Sequence, residues 1–175
     1  MQFFERFIRY GCVDVDGIEH IDSLGGADFR EKFRTLGLEE SLKRRIGACI
    51  EQANITKYLF DEVGIKSRMF CTRGYNGEHQ APNDLYLIHC YVLGYFGNSV
   101  LNIEHSDSEK RGIYVYQSAE AAIYETHKMF SDKFMSHGAT SITLNEYTQL
   151  IPGGLSFLEV NSYITQTALP PNGKV

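Results

Sequence analysis

Tryptophan is absent from this chain, so aromatic packing must come from its 11 Tyr and 11 Phe. No two of its cysteines, Cys12, Cys49, Cys71 and Cys90, stand at C-x-x-C spacing. That argues against a structural zinc knuckle. No window approaches the roughly 18 consecutive apolar residues of a membrane-spanning helix. Met1 to Tyr10 carries Glu5, Arg6 and Arg9 and lacks the apolar core of a secretory signal. Free thiols in a reducing, cytoplasmic setting are therefore expected, with no membrane partner. There is no basic stripe either. With a formal net charge of -5, nucleic acid is not the expected partner, and the scattered acidic residues read as a solvated surface. Internal repeats and low-complexity blocks are missing too.

What is present fits one ordinary domain over residues 1–175, with 43% hydrophobic and 22% charged residues. Residues 1–10 mix apolar and charged positions in a helix-like way. Gly11 to Gly17 reads as a short extended piece with a turn at Asp16-Gly17, and Gly25-Gly26 is a second break. A short helix is expected over 39–45. A longer one runs from Ala48 to Val63, with Ile50, Ala53, Ile55, Leu59, Phe60 and Val63 at helical spacing and Gly64 as its stop. Residues 65–72 read as a strand and 73–84 as a polar loop of the length used for binding loops or lids. Its Gly74 to Gly77 stretch has too little glycine pattern for a phosphate cradle. Strands follow at 85–95 and 99–105, joined near Gly97-Asn98, a type II′ hairpin signal. After a charged turn over 106–111, Ser118 caps a helix to about His137 with Gly138 as its stop. The remainder is read as a strand over 155–164 and a frayed end at Pro170 to Gly173. Helices, then a meander of strands, then a helix describe an α+β domain.

Three residues stand out chemically. Cys49 falls in the first turn of the longer helix. There, unpaired N–H groups and the helix dipole favour a thiolate and can stabilise an oxyanion on an attacked carbonyl. His89 lies within an apolar strand, where a histidine needs a hydrogen-bond partner. A cysteine nucleophile needs such a base, and the base needs an orienting carboxylate or amide. Glu104 supplies a carboxylate on the next strand. A two-residue turn at Gly97-Asn98 pairs His89 with Ser106 and leaves Glu104 diagonal to it on the same face. A two-residue turn at Phe96-Gly97 puts Glu104 directly opposite, and a three-residue loop turns it away. Asn102 shares the face in the first two registers and is the fallback orienter. Taken singly, each has a plainer reading: a small buried hydrophobe for Cys49, a satisfied core histidine for His89, a solvent-facing strand charge for Glu104.

Gly47-Ala48-Cys49-Ile50-Glu51-Gln52 on a helix, then His89 on a strand, then an acid fifteen positions later on another strand resembles the transglutaminase-like superfamily. That superfamily shares the papain-like order of Cys, His and acid. A small bacterial branch of it is similar also in Tyr10-Gly11-Cys12-Val13-Asp14, in Cys49 and Gln52, in Ile103-Glu104-His105-Ser106 and in Arg111 to Tyr116. The resemblance covers roughly residues 8–135, leaving 138–175 as a C-terminal extension, either a cover for the site or a dimer contact. It implies Cys49 as nucleophile, His89 as general base and acid, and Glu104 as orienter. Gln52 then positions substrate or holds the site together. Ile50 and Ile103 stand where family members often carry Trp, which weighs against protein crosslinking.

The function so implied is a cysteine-dependent hydrolase or acyltransferase acting on a peptide, protein, or small amide or thioester. The alternatives are a non-catalytic protein-binding module on the same scaffold, and a toxin-like or regulatory partner protein. His105 and His79 are rival bases. His79, His89 and His105 with Glu104 lack the His-x-x-x-His spacing of a helical zinc site, so neither metal nor cofactor is expected. Cys71 and Cys90 read as core, with Cys90 turned away from His89, and Cys12 is open.

Overall fold

The computed structural model describes residues 6–21, 29–77 and 85–169. Two sheets carry the architecture. The smaller is built on β1 (Arg9–Asp14), which pairs antiparallel with β2 (Glu19–Ile21) and β3 (Phe33–Arg34) and parallel with β4 (Ile46–Gly47). The larger has β5 (Ser67–Tyr75), β6 (Leu85–Phe96), β7 (Ser99–Glu104), β8 (Gly112–Tyr116) and β9 (Ser141–Tyr147) in the order β8-β7-β6-β5-β9. Every pairing in it is antiparallel. Helices α1 (Phe29–Lys32), α2 (Leu38–Arg44), α3 (Cys49–Glu62), α4 (Ala119–Ser136) and α5 (Phe157–Thr167) complete the α+β domain. No helix among the described residues is long and apolar enough to cross a membrane.

Strand alternation divides the large sheet's residues between two helical layers. Met69, Cys71, Cys90 and Val92 pack with Cys49, Ile50, Ala53 and Phe60 of α3 and with Val160 and Ile164 of α5. Phe70, Tyr91, Leu93 and Val100 pack on the other face with Ala122 of α4. Cys71 and Cys90 are thus core residues on the face opposite His89, and Cys12 is buried in the same core as Cys49. All four cysteines are free.

The β6–β7 hairpin decides the site. Phe96 pairs with Ser99, so the turn is the two residues Gly97-Asn98. Gly97 has φ 57°, a conformation that glycine adopts without strain and that a type II′ turn requires at its first central position. Of the three registers considered, this is the first, with Glu104 diagonal to His89. The β6–β7 ladder stops at Leu93↔Asn102, whereas β5 stays paired with β6 down to Leu85. Among the described residues the first half of β6 is therefore paired on one edge alone, and the first turn of α3 sits against its open edge.

Several sequence expectations meet the structure closely. The turn at Gly17, Gly64 after α3 and the Ser118 cap on α4 stand as read, and the helices expected over 39–45 and Ala48 to Val63 run one residue off, over Leu38–Arg44 and Cys49–Glu62. Others need correction. Of the helix-like stretch expected over 1–10, the described residues show helix at Arg6 and Phe7 alone, because by Arg9 the chain is drawn into the centre of the small sheet. Arg73 to Tyr75, read as loop, extend β5. Residues 155–164, read as a strand, form α5. There the Ser156 hydroxyl accepts from Glu159 N–H and the Glu159 carboxylate accepts from Ser156 N–H. This capping box starts a helix whose buried Phe157, Val160, Asn161 and Ile164 recur at helical spacing. Strand β9 had no counterpart in the sequence reading. It lies at the sheet edge, and polar Thr143, Asn145 and Glu146 blur its alternation. Gly25-Gly26, residues 78–84 with His79, and the Pro170 to Gly173 end fall outside the described residues.

Because α5 is held by its buried face, Ile164→Ala is expected to lower stability by about 2–5 kcal/mol through the cavity it leaves. Ser156→Ala should cost about 1 kcal/mol through the lost cap. Urea unfolding of both variants measures the two effects.

Candidate functional site

Cys49 is the first residue of α3. Ala48 before it has no side chain that can cap, so the cap is inverted: the Glu51 carboxylate reaches back to Ala48 N–H at 3.0 Å. Its other oxygen takes Leu36 N–H at 3.0 Å. Burial pushes the Glu51 carboxyl up to about 7 against the pull of these N–H donors. The first intrahelical bond runs from Gln52 N–H to Ala48 O, so the Cys49 amide precedes the helical ladder.

The Cys49 thiol donates to Ile88 O at 3.7 Å, on the open edge of β6. Ile88 directly precedes His89, and the Cys49 thiol and the His89 ring are close enough to act on each other's titration. On its other side, His89 Nε2 meets Glu104 Oε2 at 2.8 Å. With Nε2 committed to the carboxylate, Nδ1 is the ring nitrogen that this bond leaves open. The imidazole is also stacked on Phe130 of α4, ring centroids 3.5 Å apart and planes inclined by 19°. The three residues that sequence reasoning grouped are thus brought together, in the order Cys49, His89, Glu104.

Glu104 is 2% exposed. Its Oε1 accepts from Ser106 N–H at 2.8 Å, Ser106 Oγ–H at 2.9 Å and Asp107 N–H at 2.9 Å. Burial alone would raise its pKa. The His89 charge and these donors outweigh burial and lower it to about 2. Burial alone would lower His89, but the Glu104 carboxylate and the Cys49 contact raise it to about 10. For Cys49 burial dominates and pushes the thiol up, with the His89 contact opposing it. The resting charges are therefore a neutral thiol beside an imidazolium–carboxylate pair.

The supporting residues separate into distinct roles. Gln52 is buried, donates from Nε2 to Gly47 O at 2.9 Å, and accepts from His105 Nδ1 through Oε1. It holds the site together, with both ends of its amide engaged. His105 Nε2 meets the Thr56 hydroxyl at 3.1 Å. Burial lowers His105 to about 4, so it is a neutral, fully engaged histidine and not a rival base. Asn102, the fallback orienter, donates to Thr126 Oγ1 at 3.4 Å toward α4 and does not orient His89. No cluster of three or more potential metal ligands occurs among the described residues.

Cys49 opens onto a cavity of about 360 Å³. Tyr10 lines it, placed by the β1–β4 register that pairs Tyr10 with Gly47. Burial raises the Tyr10 hydroxyl's pKa, helped by nearby Cys49, Asp107 and Glu104. Phe29, Arg30, Phe33 and Phe157 form the far wall. Sequence reasoning saw Tyr10 only as part of a motif and missed that wall. The Ser156–Glu159 capping box was the signal that could have placed Phe157. Comparison with protein families, curated proteins and solved structures finds no match for this chain.

Two consequences are measurable. Gln52→Ala leaves Gly47 O and His105 Nδ1 without their partner and should cost about 2 kcal/mol or more, read by urea unfolding. Glu104 has a depressed pKa, so its contribution to stability is complete above the unfolded value near 4.5 and is lost as pH falls toward about 2. His89 has a raised one, so its contribution is complete below 6.5 and is lost as pH rises through about 10. Thermal melting across pH should decline at both ends, and Glu104→Gln should flatten both declines.

Proposed function

We propose that this chain is a cysteine-dependent hydrolase or acyltransferase on a transglutaminase-like scaffold, acting on an amide, peptide or thioester. The observation that carries this reading is the 2.8 Å His89–Glu104 bond, with the Cys49 thiol bonded to the carbonyl of Ile88, the residue next to His89. The scaffold reading is supported by the order of parts: the cysteine at the start of a helix packed on an antiparallel sheet, then histidine and acid on neighbouring strands.

In this reading the reactive species is the thiolate of Cys49, stabilised by the His89 imidazolium and the first turn of α3. Its sulfur attacks the acyl carbon, and the new oxyanion faces the Cys49 N–H. Collapse breaks the bond to the leaving amine or thiolate, and His89 delivers its proton to that group. The resulting thioester is resolved when neutral His89 takes a proton from water, or from an acceptor amine or thiol. That nucleophile then attacks the acyl carbon and sulfur departs. Glu104 stays ionised throughout and fixes the ring.

Burial of the thiol is the observation that favours the alternative, a non-catalytic binding module. One experiment separates the two. Iodoacetamide labelling of the folded protein, followed by peptide mass spectrometry against pH, should show Cys49 reacting ahead of Cys12, Cys71 and Cys90. Its rate should rise as the thiol deprotonates. His89→Ala removes the contact that opposes burial, so titration moves upward and the rate at neutral pH falls by roughly tenfold per unit moved. A Cys49 no faster than the other three, or indifferent to His89→Ala, sinks the catalytic reading. Turnover, once a substrate is found, should rise with Cys49 ionisation and fall near pH 10 as His89 loses its proton.

A further inference from the structure

The cavity beside Cys49 has a chemical bias that the triad does not explain. Its far wall is three phenylalanine rings in mutual contact: Phe29 and Phe33 at 5.3 Å, Phe29 and Phe157 at 6.0 Å, Phe33 and Phe157 at 6.3 Å between centroids. Such a wall recognises an apolar, flat body. Set into it is Arg30. Its guanidinium carbon lies 5.1 Å from the Tyr86 ring centroid and 6.0 Å from that of Phe157. Its Nη2 donates to Tyr86 O at 3.4 Å.

These contacts pin the guanidinium between ring faces while using, among the described residues, one of its five N–H donors. No carboxylate pairs with Arg30 among the described residues. A fixed planar cation on an apolar cavity wall, with donors to spare, is suited to a carboxylate. In a chain of net charge -5, it is a local inversion of sign.

We infer that the acyl group handled at Cys49 combines an apolar, preferably aromatic, body with a carboxylate, the body lying against Phe29, Phe33 and Phe157 and the carboxylate meeting Arg30. The inference rests on the reading of Cys49 as the nucleophile.

The test compares phenacyl bromide with para-carboxyphenacyl bromide as alkylating agents for the full chain. In both, a carbon–sulfur bond forms at Cys49, the carbon–bromine bond breaks, bromide departs and the thiol proton passes to solvent. The reagents differ in the carboxylate alone. The wild type should react roughly tenfold faster with the carboxylate reagent, the order expected of one charge-assisted contact, and the rate should saturate with its concentration. Arg30→Gln should bring the ratio of the two rates to about one. Arg30→Lys, which keeps the charge, should retain most of the preference and guards against a Gln variant that fails to fold, with thermal melting as the check. A wild-type ratio near one overturns the inference. So does a preference that survives in Arg30→Gln, since the imidazolium of His89 then accounts for it. If iodoacetamide labelling of Cys49 depends on His89 while the carboxylate preference is missing, the inference about the acyl group fails and the catalytic reading stands. If labelling ignores His89, the catalytic reading itself fails.

Discussion

A carboxylate removed from water must be satisfied completely or it does not stay charged. Glu104 is satisfied on both oxygens. Three donors from the Ser106–Asp107 turn saturate Oε1, and His89 takes Oε2. Much of the site follows from this one buried anion. It keeps His89 protonated, and by drawing Ser106 and Asp107 around itself it sets the turn that carries His105. His105 in turn grips Gln52, and Gln52 holds Gly47 O just ahead of Cys49. The acid is therefore linked to the start of α3 through a neutral network of its own, beside its direct bond to the imidazole.

The sheet is shaped to permit this meeting. Cys49 belongs to the core on one face of the sheet, while His89 belongs with the α4 side, stacked on Phe130. Two residues assigned to opposite layers can touch because β7 leaves β6 after the Leu93↔Asn102 pair. The freed edge turns the carbonyls of Ile88 and Tyr86 toward the thiol and toward Arg30. Regular pairing through this stretch would give a more continuous ladder and no place for the thiol.

Much of this was legible in the sequence, for identifiable reasons. Glycine at the hairpin turn limited the registers, and strand alternation then linked Glu104 to His89. The apolar repeat from Ile50 onward placed Cys49 at a helix start. Contacts between residues distant in the chain were not legible. Nothing local announces that Phe157, in an element read as a strand, closes the wall beside Phe33, or that Phe130 supplies the surface on which the imidazole lies. In the C-terminal extension the apolar run of residues 155–164 suits a strand as well as a helix, and only its packing as α5 separates the two. The extension's real contributions are an edge strand on the sheet and a helix against the cavity.

The depth of the thiol has a chemical consequence beyond turnover. Peroxide and similar oxidants consume thiolate rather than thiol. Burial pushes Cys49, Cys12 and Cys90 upward in pKa, so at rest each holds its proton. These thiols are thereby sheltered from sulfenic and sulfinic damage. Shelf life under oxidative stress and readiness to react are here opposite settings of the same burial.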